Sequence, residues 1–310
     1  MNSNITVLSP SFSRNPLLRA ELNSLSKNVV YADGARKWSE EELIQHLNHT
    51  EAEIAIVGLD PISDHLLTHC PKLKHIAKYG VGLNNIDREA LHRHGIGLGF
   101  TPGVNKRSVS ELVISFALGY SRNVFPSILK MRRGEWKKEG GCQLSNLTIG
   151  IVGLGNIGTD LAKLLRAFGS KVLFTDIIDK SREAQDFGLQ YRTYEDILRE
   201  ADIISFHVPL TTQTDRMLDK RRLGFVKETA MIINTSRSEV VDFEACCQAT
   251  QQKTIGAFAA DVFPEEPMNL DPWIDCDHIF FTPHIGGSAK EAVLAMGLAA
   301  VNSVKDYLEK

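Results

Sequence analysis

Arg237, Glu266 and His284 are residue types that together handle a proton beside a bound anion. A guanidinium grips a carboxylate through two parallel N–H···O bonds. An imidazole gives or takes a proton near neutral pH, and a carboxylate beside it orients the ring and favours its charged form. Arg237 follows the apolar run Met231-Ile232-Ile233, in Asn234-Thr235-Ser236-Arg237-Ser238. Glu266 lies in Asp261-Val262-Phe263-Pro264-Glu265-Glu266-Pro267, and His284 in Thr282-Pro283-His284-Ile285-Gly286-Gly287. The proline and paired glycines set His284 on a stiff loop rather than on a packed helix face. Singly, each has a plain alternative: surface cation, loop acid, strand-end cap. Their common position counts for more, because all three follow strand-like runs, and open α/β sheets place ligands at the carboxyl ends of strands.

The elements that must position them are organised around residues 147 to 176. Leu147 to Val152 is a short apolar run suited to a strand buried on both faces. It leads into Gly153-Leu154-Gly155-Asn156-Ile157-Gly158. Glycines at this spacing allow a sharp turn, close backbone approach to a pyrophosphate, and tight packing of the next helix. Gly153, Gly155, Asn156, Ile157 and Gly158 then place phosphates on a helix N-terminus, where free N–H groups and the helix dipole favour negative charge. Leu161, Leu164, Leu165 and Phe168 give that helix an apolar face, and Gly169 ends it. A second strand, Lys171 to Thr175, delivers Asp176 eighteen residues after Gly158. An acid there accepts bonds from a ribose diol and repels a 2′-phosphate, so the cofactor expected is NAD. Beside such a site, an acid, its orienting carboxylate and an anion clamp are what reduction of a 2-oxo acid requires.

Before this unit, Ile5 to Leu8, Val29 to Tyr31, Ile54 to Val57, His75 to Tyr79 and Ile96 to Gly99 read as strands separated by helical stretches such as Ser39 to Leu47 and Asp87 to His94. After it, Asp202 to His207, Ala230 to Asn234, Ile255 to Ala260 and His278 to Phe281 bring the second sheet to about six strands. The fold expected is α/β, with two doubly wound domains. A flavodoxin-like substrate domain spans 1–100 and is completed by the C-terminal helix 288–310. A Rossmann dinucleotide-binding domain spans 101–287, with the active-site cleft between the two and a hinge near Thr101-Pro102-Gly103. Ser108 with Glu111, and Ser288 with Glu291, have the spacing of capping boxes. Val109, Leu112, Val113, Phe116, Ala117 and Tyr120 form a stripe wide enough for a core and a subunit contact. The basic segment Asn123 to Leu144 reads as a solvated helix and connector.

Lys and Arg total 35 against 38 Asp and Glu, a net charge of −3, which provides no footprint for nucleic acid or an anionic membrane. The expected partner is a small molecule. No window has the length of a membrane span, and Met1-Asn2-Ser3-Asn4 leads into a strand without a signal segment, so a cytoplasmic protein is expected. Cys70, Cys142, Cys246, Cys247 and Cys276 form no C-x-x-C pair; reduced structural thiols are expected, and no metal.

Gly80-Val81-Gly82-Leu83-Asn84-Asn85-Ile86-Asp87, Thr101-Pro102-Gly103-Val104-Asn105, the glycine turn, His207-Val208-Pro209-Leu210-Thr211 and the three blocks around Arg237, Glu266 and His284 run in order along nearly the whole chain. With these blocks the chain resembles the D-isomer-specific 2-hydroxyacid dehydrogenase family. The resemblance implies that Arg237 binds the substrate carboxylate and carbonyl oxygen, His284 is the general acid/base, and Glu266 pairs with it. It implies cofactor contacts at His207, Val208, Pro209, Thr214, Thr235, Ser236 and Gly286, with Asp261 on the nicotinamide carboxamide. Substrate contacts are implied at Lys78, Tyr79, Val81, Gly82 and Asn105, and a homodimer is implied. Ser238 stands where a glycine is usual, and Asn84 where an aspartate is frequent. Val57-Gly58-Leu59-Asp60 lacks the arginine and serine that many phosphoglycerate dehydrogenases carry after this strand, so a substrate phosphate would need Lys78, Lys106 or Arg107. A binding module resembling the NAD-sensing C-terminal-binding corepressors is the competing class; the lack of long disordered tails or a basic surface favours an enzyme.

Overall fold

The computed structural model describes residues 3–32 and 38–309. Met1 and Asn2 of the expected N-terminal segment and Lys310 of the expected C-terminal helix lie outside these. The chain divides into two compact units, Met1–Asn105 with Lys290–Lys310, and Lys106–Ala289.

Among the described residues the first unit holds five parallel strands: β1 (Ile5–Val7), β2 (Val29–Tyr31), β3 (Ile54–Val57), β4 (His75–Lys78) and β5 (Gly97–Gly99). Their order, β2-β1-β3-β4-β5, is that of a flavodoxin-like doubly wound sheet. β1, β3 and β4 are fully buried, as short apolar strands covered on both faces must be. The helix Glu40–His49 carries a complete capping box, Ser39 with Glu42. The C-terminal helix Lys290–Leu308 belongs to this unit and buries Ala300, Val301 and Val304 against Ile5, Val7, Leu18 and Ala77. Gly297 lets it approach the helix Pro16–Leu25, since a Cβ there would run into the Leu18 side chain. His75 on β4 binds Ser303 Oγ at 2.8 Å and stacks on Tyr307, fixing the last helix to the sheet.

The second unit holds seven parallel strands: β6 (Thr148–Val152), β7 (Lys171–Thr175), β8 (Gln190–Tyr191), β9 (Ile203–Phe206), β10 (Met231–Asn234), β11 (Ala257–Ala260) and β12 (Ile279–Phe281). Their order, β12-β11-β10-β9-β6-β7-β8, is the Rossmann order extended by one strand. The six expected strands are present; the seventh is β8, two exposed residues at the sheet edge paired with Leu173 and Phe174. Val113, Phe116 and Ala117 of the expected stripe pack into the core of this unit, with Leu112 and Tyr120 against it.

Three local expectations fail. The helix carrying Ser108 begins at Lys106, so Ser108 lies inside its first turn and caps nothing. The last helix begins at Lys290, so Ser288 stands too far upstream to cap it. Phe168 remains 39% exposed, while Leu161 and Leu165 are buried.

Among the described residues no single helix is long and apolar enough to cross a membrane. The bent pair Lys106–Ser121 with Val124–Arg132 passes together on length and composition, but the apolar face of its first member lies in the core.

Candidate active site

The glycine turn between β6 and the helix Asn156–Phe168 fits a dinucleotide at each of its three glycines. Gly153 has φ +95°, and a Cβ there would stand 2.8 Å from the His207 carbonyl oxygen and from Val208 Cγ1. Gly155 has open space where a Cβ would be, so a ligand can reach the backbone. A Cβ at Gly158 would collide with the Gly153 carbonyl, which explains its role in holding helix to strand. Gly155 is also the N-cap and offers no side chain to the helix, leaving the first N–H groups for an anion. An open groove of about 380 Å³ runs past Lys106, Gly155, Asn156 and Thr159. Asp176, after β7, accepts from Leu154 N–H at 2.6 Å and Ile178 N–H at 2.9 Å, so the acid expected to hold a ribose also braces the turn.

Arg237, Glu266 and His284 follow β10, β11 and β12, three neighbouring strands of one sheet. Asn234, fully buried at the end of β10, shapes the Arg237 turn. Its Nδ2 donates to the Arg237 carbonyl at 2.8 Å, and its Oδ1 accepts from Ser236 N–H and Oγ–H. His284 Nδ1 lies 2.9 Å from both Glu266 oxygens. The two side chains are 53% and 41% exposed, so the pair is open to a ligand. His284 adopts φ +52°, an uncommon conformation for a residue with a Cβ, held at a cost of order 1 kcal/mol.

The surroundings over-determine that conformation. Asp261, 1% exposed, accepts through Oδ1 from Thr282 Oγ1 at 2.6 Å and Ile285 N–H at 2.8 Å. Through Oδ2 it accepts from Gly286 N–H at 2.7 Å. A carboxylate has about four lone-pair positions, so one remains on Oδ2. Ser108 donates to the Gly286 carbonyl at 2.5 Å and accepts from Ala289 N–H at 3.3 Å. The sequence concealed this serine behind an apparent capping box. Asn234 left only the faint signal of a polar residue closing an apolar strand.

Of the other expected cofactor residues, His207 and Val208 lie against the same turn. His207 closes β9, with Nε2 2.9 Å from Ser205 Oγ and a buried Nδ1. Burial pulls its pKa from 6.5 down to about 4, so the ring is neutral at pH 7. The unfolded chain takes up a proton below pH 6.5 and the folded one only near pH 4. His207 therefore supports stability above pH 6.5, and that support is lost as pH falls toward 4. Urea unfolding at pH 7 and pH 5 should show a loss on the order of 1–2 kcal/mol that His207→Gln removes; equal pH dependence in both proteins would contradict it. Thr214 Oγ1 donates to the Pro209 carbonyl at 2.5 Å and accepts from Thr211 N–H at 2.8 Å, closing the loop after Val208. Thr235 Oγ1 is buried without a partner among the described residues.

In the first unit, Tyr79, Val81 and Gly82 follow β4, and Asn105 is the unit's last residue before the chain leaves it. The Lys78 side chain is turned inward: it is 2% exposed, and its ammonium binds the Gly58 carbonyl and Asn85 Oδ1. Arg107 is committed as well, to Asp160 through two bonds of 2.9 and 3.0 Å.

Residues 114–286 match the family model described as the D-isomer specific 2-hydroxyacid dehydrogenase NAD binding domain. The chain is 36% identical to glyoxylate reductase of Thermococcus litoralis over 81% of its own length and 78% of the relative's. It is 32% identical to D-3-phosphoglycerate dehydrogenase of Methanocaldococcus jannaschii over 94% of its length but only 56% of that longer protein. The crystal structure of D-lactate dehydrogenase from Aquifex aeolicus, complexed with NAD and lactic acid, superposes with a TM-score of 0.85 at 26% identity, covering 99% of this chain and 96% of the other. Fold and turn define an NAD-dependent oxidoreductase of the doubly wound α/β class. Within that class, the chain belongs to the D-isomer specific 2-hydroxyacid dehydrogenase family.

Proposed function

We propose that this protein reduces a small 2-oxo acid without a phosphate, of the glyoxylate or hydroxypyruvate kind, to the D-2-hydroxy acid, with His284 as proton donor. The observation that carries this reading is the His284–Glu266 pair, in the loops after β11 and β12, strands that continue the sheet from β10, which Arg237 follows. Bound NADH supplies a hydride to the carbonyl carbon. Glu266 occupies Nδ1, which leaves Nε2 as the nitrogen that protonates the carbonyl oxygen. Loss of that proton leaves a neutral ring with its remaining hydrogen on the Glu266 side. Arg237 grips the substrate carboxylate.

Two of the three cations considered for a substrate phosphate are already engaged: Lys78 within its own unit and Arg107 with Asp160. Lys106 lines the groove at the glycine turn, on the side expected for the cofactor. With NADH, kcat/KM for hydroxypyruvate is therefore expected to exceed that for its 3-phosphate at least tenfold; the reverse order would reject the unphosphorylated substrate.

A cytoplasmic homodimer is part of the same reading. Val124, Ile128 and Met131 follow one face of the helix Val124–Arg132 at 42%, 47% and 53% exposure, with Trp136 at 77% nearby. A second copy would cover that face, in place of the stripe whose central residues are used in the core. Sedimentation of a single 34.4 kDa particle would contradict the dimer.

A further inference from the structure

Ser108 ties together two stretches of the second unit that are far apart in sequence. Its hydroxyl leaves the first turn of the helix Lys106–Ser121, donates to the Gly286 carbonyl and accepts from Ala289 N–H. Lys106 is where the chain enters this unit and Ala289 where it leaves. Between the two bonded backbone groups and β12 stands His284, two residues before Gly286.

Asp261 fixes the donors of that loop: Thr282 Oγ1, Ile285 N–H and Gly286 N–H. It has no hydrogen to give and cannot hold the Gly286 carbonyl. Ser108 supplies that missing donor. Gly286 is buried, with both its N–H and its carbonyl engaged by side chains from other elements, and a Cβ there would stand 2.8 Å from Asp261 Oδ2. Gly286, two residues after His284, is thus held at both its N–H and its carbonyl, and the Ile285 N–H between them is bound by Asp261 as well. A residue in the left-handed region keeps that conformation only where its surroundings enforce it.

We infer that Ser108 is a positioning residue for proton transfer: by holding the Gly286 carbonyl, its hydroxyl keeps His284 in the left-handed conformation that faces Nδ1 to Glu266 and leaves Nε2 for the substrate. The inference rests on the reading of His284 as proton donor. A misplacement of about 1 Å at a reacting group costs up to about 10²-fold in rate. The loss is expected chiefly in kcat, because Ser108 makes no bond to the glycine turn and meets the implied cofactor contacts only through Gly286.

The test compares Ser108→Thr with its isostere Ser108→Val, which has the same shape without the hydroxyl, in the full-length enzyme. Threonine should keep most of kcat, and valine should lower it about 10- to 100-fold, with the NADH dissociation constant from fluorescence titration changing by much less than kcat in both. Equal kcat values for the two variants would overturn the inference. Should the valine variant fail to fold, Ser108→Ala takes its place against threonine. A second arm repeats the valine change in a His284→Gln background. There it should cause no further loss, since a residue acting through His284 has nothing left to position. A further fall of the same size would assign Ser108 a general structural role and overturn the inference. His284→Gln alone, if it retained wild-type kcat, would instead reject the reading of His284, so the two failures are distinguishable.

Discussion

Replacing His284 with alanine is expected to lower kcat about 10²- to 10⁴-fold while leaving the NADH dissociation constant essentially unchanged. The side chain sits on the loop after β12 and is joined to Glu266, not to the glycine turn expected to hold the cofactor. Removing it deletes the proposed proton donor but leaves Gly153, Gly155, Gly158 and Asp176 as they are. Alanine tolerates φ +52° less well than histidine, so the bonds to Asp261 and Ser108 are what should keep the loop on its path. Steady-state rates paired with fluorescence titration of NADH separate the two effects. Parallel losses of turnover and cofactor affinity would mean that His284 is a structural part of the cofactor site.

Arg237→Lys is expected to lower kcat/KM for the 2-oxo acid about 10- to 100-fold, mainly through KM, although the charge is conserved. Hydrogen bonds to charged groups are worth about 1.5–3 kcal/mol, and an ammonium cannot reproduce the planar two-bond grip of a guanidinium on a carboxylate. The turn that aims this side chain is fixed by Asn234, which the substitution does not touch. The backbone should therefore deliver lysine to the same place with the wrong head group. An unchanged KM and kcat would exclude Arg237 from the substrate carboxylate.

How much of this the sequence disclosed depended on whether a position owed its role to local pattern or to a distant partner. The glycine turn, its flanking strands and Asp176 form one continuous stretch, so spacing alone revealed them. The strands β9 to β12 were visible because burial on both faces demands unbroken apolar runs. β8 escaped because two exposed edge residues leave no such pattern. Ser108 misled because Ser-x-x-Glu is a local signal, whereas its true partners, Gly286 and Ala289, lie across the unit. Phe168 shares the helical spacing of Leu161 and Leu165 but sits at the helix end, where the sheet no longer covers it. Lys78 was expected at the substrate from its charge alone, because sequence gives the charge of a side chain and not its direction; its ammonium binds the Gly58 carbonyl and Asn85 Oδ1. The structural roles of Asp261 and Asn234 arise from bonds to backbone groups, which leave no trace in residue spacing.

The most direct test of the central claim is the configuration of the product. The purified protein, given NADH and hydroxypyruvate, should oxidise the cofactor and form glyceric acid that is the D-isomer alone on chiral chromatography. Formation of the L-isomer or a racemate, or no turnover with either hydroxypyruvate or glyoxylate, would contradict the account.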